Sequence, residues 1–387
     1  MKQKQRDYGK LLRLKNLVTE LESLRPQIDY GVNCAGTIHH IIQYFINELK
    51  VMGFNLKELP LAHDLGHVVY DTKSAILLMN DPKIGKYVAP PDFIAGIIGG
   101  IFHDSGLLLA NKPEFCQKMF GFRAVSRFEE AEKLLRHAES GAILAEKLLS
   151  NIELDTDPIT QEYIKKMIVY VIAAHTNYKQ QVVQGYTIQP YKDAWSDELP
   201  IYPVTIARWC DRMDLVGPHY ILRHFCTLAP EIHTHLTIKD GKQQFREISL
   251  ESSMDLSLDG NMRDHVLMYK NSQSNDSPYG KYDLPGIMID YREYQKQRTQ
   301  ECLNILDQTG EPEEAMTRKE LFQLIKEASM CNEDENIDHL VTKFFNIPDK
   351  NRIPWLRAFA KAKELMDNPE FPGEGHALAL AKKLLVR

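Results

Sequence analysis

The chain has 387 residues, of which 43% are hydrophobic and 26% charged, with a formal net charge of −6. This length and apolar content suit a soluble globular protein of one large or two modest domains, and exclude a chain too polar to build a core. Lysine and arginine are scattered along the sequence, which excludes the basic footprint of a duplex nucleic-acid binder.

In chain order, Leu11, Leu12, Leu14, Leu17, Val18, Leu21 and Leu24 recur at helical spacing until Arg25-Pro26 ends the pattern. A second helix is predicted over about Thr37 to Met52, stopped by Gly53. A third runs from Leu59-Pro60, with proline in its first turn, to about Met79. The fourth spans about Pro91 to Leu109 and is apolar on nearly all sides. Ser126 with Glu129 three residues on is a capping-box signature for a long helix ending near Ser150. Pro158 to Asn177 reads as the next helix, with Ile164, Met167, Ile168, Val171 and Ile172 as its buried stripe.

Residues 179 to 200 lose periodicity and read as a loop, and helical period resumes around Pro203. From about His233 to Leu250, alternation around Asp240-Gly241 predicts a β-hairpin. Asn271 to Pro285 reads as a surface loop, and helices return from about Ile287 with stops near Gly310, Asn332, Pro348 and Gly373. The expected fold is mainly α: a helical domain over 1–230, a hairpin and loop excursion over 231–286 and a helical C-terminal region over 287–387. Cys34, Cys116, Cys210, Cys226, Cys302 and Cys331 form no CxxC pair and read as reduced thiols of a cytoplasmic protein. No secretory signal follows Met1, and no uninterrupted apolar run reaches the ~18 residues of a membrane span, so no membrane partner is expected.

The fourth helix ends in an adjacent pair, His103-Asp104, followed by Ser105-Gly106. Imidazole and carboxylate are both good ligands for a borderline transition metal. Burying the two in an apolar helix is costly unless something satisfies them, and a metal ion does so. Upstream, His63-Asp64-Leu65-Gly66-His67 puts His63 and His67 on one helical face. Downstream, His137 precedes Gly141, a residue that lets a neighbouring backbone come close. His175 ends an apolar helix, and Asp211 stands among Ala207, Trp209 and Met213. Helices that each turn one or two N/O ligands inward are how metal sites in bundle cores are assembled.

The ordered set His67, His103-Asp104, His137, His175 and Asp211, across roughly residues 60 to 215, resembles the HD-domain phosphohydrolase superfamily. Its nearest flavour is the dinuclear branch of HD-GYP-like proteins and cyclic-nucleotide phosphodiesterases. The resemblance implies an HD helical bundle holding two adjacent divalent transition metals, of which Mn, Fe, Zn and Ni all suit a His/Asp set. It implies that His67, His103, Asp104 and Asp211 hold one ion and that His137, His175 and a bridging Asp104 hold the other. Two cations ~3.5–4 Å apart clamp a phosphate and acidify a water toward hydroxide. Asp104 is then catalytic through that pair. His63 stands where the cyclic-nucleotide enzymes keep a histidine that protonates the leaving group. The implied reaction is hydrolysis of a phosphodiester in a small nucleotide-like or phosphate-linked substrate.

A second register resembles the dNTP triphosphohydrolases, with His63-Asp64 as the HD motif and His39 or His40 as first ligand. It implies a nucleotidase-like reaction and leaves His103-Asp104, His137 and His175 unused. The HD-GYP lysine is missing from Ser105-Gly106-Leu107, and Gly185-Tyr186-Thr187 lacks the GYP proline, so cyclic di-GMP is not the expected substrate. These departures motivate a third reading, an HD module with a regulatory or protein-binding role. His219, His224, His233 and His235 read as hairpin and helix-end polarity, and Asp214 as a capping or ion-pairing residue. Arg208 and Arg212 either meet a substrate phosphate or pair with Asp211 and Asp214. Lys112, Asn177 and Tyr178 are candidates for substrate contact by proximity. The C-terminal helices are expected to pack on the bundle or mediate a homodimer.

Overall fold

In the computed structural model of the chain, the described residues are 17, 19–55, 59, 65–86, 88–110, 112–121, 124, 137–175, 181–183, 186–188, 202–226, 232–239, 242–249, 286–306, 323–324 and 349–385. They are mostly helical, so the protein is mainly α. The chain divides into two compact units: Met1–Leu59, Asp71–Asp211 and Ala381–Arg387 form the first, and Pro60–Tyr70 with Arg212–Leu380 the second.

Proline and short polar side chains set the helix ends of the first unit. Asn33 caps α1 (Cys34–Val51) by accepting from Gly36 N at 3.1 Å, and Gly53 follows its end at φ +79°. Next come α2 (Leu65–Met79) and α3 (Pro82–Gly85), the latter capped by Asp81 at 2.8 Å from Lys83 N. Paired prolines open α4 (Pro90–Phe102), where a missing N–H costs nothing. The chain then turns over His103-Asp104-Ser105, with Ser105 N on Phe102 O at 3.0 Å and Leu107 N on Asp104 O at 2.9 Å, before α5 (Gly106–Ala110). The single helix expected from Pro91 to Leu109 is therefore two, broken at the His-Asp pair by tight i→i+3 bonds.

α6 (Pro113–Phe120) ends at Gly121, φ +73°, and is followed by α7 (His137–Leu149). Asp157 caps α8 (Pro158–Ala174) through Ile159 N at 2.9 Å and Thr160 N at 3.0 Å. Within the expected loop over 179 to 200, β1 (Gln181–Val183) and β2 (Tyr186–Ile188) pair antiparallel with Val182 opposite Thr187, a run rich in β-branched residues. α9 (Tyr202–Asp214) belongs to this unit through Asp211. The core lies where α4 packs along α1 and α8, α8 along α7, and α5 against α7. A Cβ at Gly99 would fall 2.3 Å from Val171 Cγ1, so α4 and α8 meet at a glycine contact.

The second unit holds α10 (His219–Cys226), the antiparallel pair β3 (Ile232–Lys239) and β4 (Lys242–Ser249), α11 (Gly286–Leu306), α12 (Asp349–Asp367) and most of α13 (Glu374–Leu385). α11 and α12 pack on each other, and α12 also on α10. Glu374, 2% exposed, accepts from Tyr291 Oη at 2.8 Å and Gln295 Nε2 at 3.0 Å, which ties α13 to α11.

Among the described residues, Pro90–Ala110 is long and apolar enough to cross a membrane, and 89% of its most apolar window is buried inside the fold. Cys34, Cys116, Cys210 and Cys302 are free thiols. His63, Ser126, Glu129, Asn177, Tyr178, Cys331, the Asn271 to Pro285 stretch and the stops near Gly310, Asn332 and Pro348 lie outside the described residues, as do the side chains of Arg212, His224, Cys226, His233 and His235.

Candidate metal centre

Three histidines of the first unit stand at helix ends: His103 just after α4, His137 opening α7 and His175 just after α8. All three and Asp104 are buried. His103 Nδ1 lies 2.6 Å from Gly100 O, and His175 Nδ1 lies 2.7 Å from Ile172 O. A carbonyl only accepts, so each ring donates from Nδ1 and turns Nε2 the other way. Burial and the neighbouring His103 push the His175 pKa down to about 4, so this ring is neutral at physiological pH.

The Nε2 atoms converge on Asp104. His103 Nε2 is 3.1 Å from Asp104 Oδ2, while His137 Nε2 and His175 Nε2 lie 3.5 and 3.6 Å from Oδ1. The Nε2 atoms of His137 and His175 are themselves 3.1 Å apart. On the other side, Asp71 Oδ2 lies 3.6 Å from His103 Nε2. Asp71, His103 and Asp211 each present a ligand atom within 4.8 Å of the others, and so do His103, Asp104 and His175. Atoms bound ~2.1 Å from one ion at tetrahedral or octahedral angles lie roughly 3.0–3.4 Å apart. The observed separations of 3.1 to 3.6 Å fall close to that range. Buried acceptors at such distances repel unless a cation or proton lies among them, and this donor set fits a divalent cation.

Two backbone devices hold the set in place. A Cβ at Gly106 would lie 1.8 Å from His137 O, so the start of α5 touches the start of α7 backbone to backbone, beside Asp104. Gly141 lies under the same contact, its Cβ position 3.0 Å from Gly106 N. On α9, buried Arg208 donates from Nε at 3.0 Å and Nη2 at 2.9 Å to Ala174 O, pinning the end of α8 next to His175. Arg208 thus binds a main-chain carbonyl, an arrangement that neither expected role included.

His67 lies in the second unit, one helical turn before Asp71 on α2. Its Nδ1 is 2.8 Å from Asp214 Oδ2, which also accepts from Arg223 Nη1 at 3.0 Å, while Oδ1 lies 2.6 Å from His219 Nδ1. Burial opposes ionisation of Asp214, but His219, His67 and Arg223 outweigh it and hold the carboxyl well below its usual range. His219 also stacks on Tyr70 at 4.4 Å between ring centroids. His39 and His40 are exposed on α1, with His40 Nε2 3.1 Å from Glu153 O, and Lys112 Nζ donates to Gly53 O at 2.7 Å.

Asp71 was not foreseen from the sequence. It opens a polar run, Asp71-Thr72-Lys73-Ser74, that reads as a solvated face, yet all four residues are buried. The available signal was its position four residues after His67, on the same helical face. No protein-family model, curated protein or solved structure matches the chain.

Proposed function

We propose that the protein is a metal-dependent phosphohydrolase of HD type, acting on a phosphodiester in a small nucleotide-like or phosphate-linked substrate. The observation that carries this reading is the division of one carboxylate: Asp104 turns Oδ2 to His103 and Oδ1 to His137 and His175, as a residue bridging two ions would. In this reading His103, Asp104 and Asp211 would hold one divalent cation, with His67 added by the sequence resemblance, and His137, His175 and Asp104 would hold a second. Bound cations supply Lewis acidity to the phosphoryl group and to the attacking water.

The protein's own residues do the rest. The carbonyls of Gly100 and Ile172 keep the Nδ1 protons of His103 and His175, so their Nε2 atoms are ready as ligands without reorganisation. Burial of the set excludes bulk water and strengthens each charge interaction around the phosphate. His63, one turn before His67 in sequence, is the candidate proton donor to the leaving oxygen, an assignment that a fully active His63→Ala enzyme would remove.

The test is metal content per chain on gently purified protein, with turnover of a generic phosphodiester in added Mn²⁺. About two ions per chain, with activity lost in His103→Ala and Asp104→Ala, is the expected result. One ion with phosphomonoesterase activity alone would indicate a nucleotidase-like site. No metal and no turnover would refute the reading and favour a binding module.

A further inference from the structure

The ligand set carried by the sequence resemblance does not include Asp71, yet the fold of the first unit places it beside His103 and Asp211. Asp71 is 2% exposed, its Oδ2 lies 3.6 Å from His103 Nε2, and the three residues present ligand atoms within 4.8 Å of one another. In a supporting role Asp71 would instead accept a proton from His103 Nε2, and a cysteine at that position would then form no bond to a metal. His103 already donates from Nδ1 to Gly100 O, 2.6 Å away, which leaves Nε2 directed at the carboxylates of Asp71 and Asp104. His103 Nε2 with Asp71 Oδ2 at 3.6 Å on one side and Asp104 Oδ2 at 3.1 Å on the other is an arrangement that a divalent cation would join.

We propose that Asp71 is itself a metal ligand, and that with His103 and Asp211 it forms an oxygen-rich subsite selecting a hard divalent cation such as Mn²⁺ or Mg²⁺. This rests on the metal-centre reading above and adds an asymmetry to it. The opposite side of Asp104 presents two imidazoles, from His137 and His175, and suits a more nitrogen-seeking ion. With the shared Asp104, and with His67 added as in the reading above, the Asp71 subsite offers three carboxylates and two imidazoles against one carboxylate and two imidazoles on the other side, the larger oxygen share that hard, six-coordinate ions prefer.

The experiment uses the full chain stripped with a chelator and titrated with Mn²⁺, the free ion being read by electron paramagnetic resonance. Wild type is expected to bind Mn²⁺, and Asp71→Asn to lose at least about tenfold in affinity at one site. Metal-free Asp71→Asn is expected to melt no lower than metal-free wild type, because the change removes one buried negative charge from a set that includes Asp104 and Asp211. Wild-type stoichiometry and affinity in Asp71→Asn would overturn the proposal. So would an equal fall of the melting temperature with and without metal, which assigns Asp71 a packing role. A second variant, Asp71→Cys loaded with Co²⁺, is expected to show a thiolate-to-cobalt charge-transfer band, and its absence in the folded, loaded protein would also overturn it. If wild type binds no Mn²⁺ or any other divalent ion, the metal-centre reading falls and this proposal falls with it. If wild type binds and the Asp71 variants match it, only this proposal falls.

Discussion

Replacing Gly106 by alanine tests the backbone contact on which the position of His137 depends. The added methyl would sit 1.8 Å from His137 O, 2.6 Å from His137 C and 2.8 Å from Gly141 N. Real Cβ contacts stop near 3.0 Å, so the start of α5 or of α7 must retreat by about 1.2 Å. All three receiving atoms are main chain, and no flexible side-chain end can absorb the shift. Overpacking a core costs ~1–3 kcal/mol, and a clash with rigid backbone belongs at ~3 kcal/mol or above. The same retreat carries His137 away from Asp104, from which its Nε2 is now 3.5 Å. A misplacement of ~1 Å at such a centre costs on the order of 100-fold in activity. Urea unfolding and metal content of Gly106→Ala measure both effects. A variant within ~1 kcal/mol of wild type that keeps full metal content would refute the argument, since the contact would then have slack that the geometry denies.

Two further outcomes follow from buried polar groups. His175 titrates near 4 in the fold against 6.5 unfolded, so between those values the unfolded chain holds a proton that the fold does not. Stability of chelator-treated protein should therefore fall as pH drops from about 6.5 and level off below about 4, a loss of ~3 kcal/mol that His175→Asn abolishes; an unchanged slope in urea titrations of that variant would contradict this. Away from the centre, Tyr163 Oη donates to buried Asp92 and accepts from Arg25 Nη1 at 3.1 Å. Tyr163→Phe should cost ~2 kcal/mol with Mn²⁺ binding unchanged, and a parallel loss of metal would show that this network reaches the site.

The ends of α1, α4 and α8 were legible because Gly53, Pro90-Pro91 and Asp157-Pro158 act locally, through backbone freedom and capping. The break at His103 was not. Apolar residues continue on both sides, Ile101-Phe102 before and Leu107-Leu108-Leu109 after, so periodicity runs on through a turn that only the hydrogen bonds reveal. Asp71 escaped for the opposite reason: a polar run in a helix looks solvated until other elements cover it. The glycine after the His-Asp pair is plain in the sequence, but its partner, the main chain of His137, is 31 positions away, and no local pattern reports so distant an approach. Arg208 shows the same limit, since its carbonyl partner, Ala174, belongs to another helix.

His103 and His175 each reach back three residues along their own helix, to Gly100 O and Ile172 O. The last carbonyls of a helix need outside partners, and here the ring that supplies one also aims the ligand atom. The aim of each imidazole is therefore braced within its own helix. Packing α4 against α8 then brings together two helix ends whose imidazoles each turn Nε2 toward Asp104. Losing either histidine would therefore leave a carbonyl at a helix end without this partner as well as take a nitrogen from the buried set.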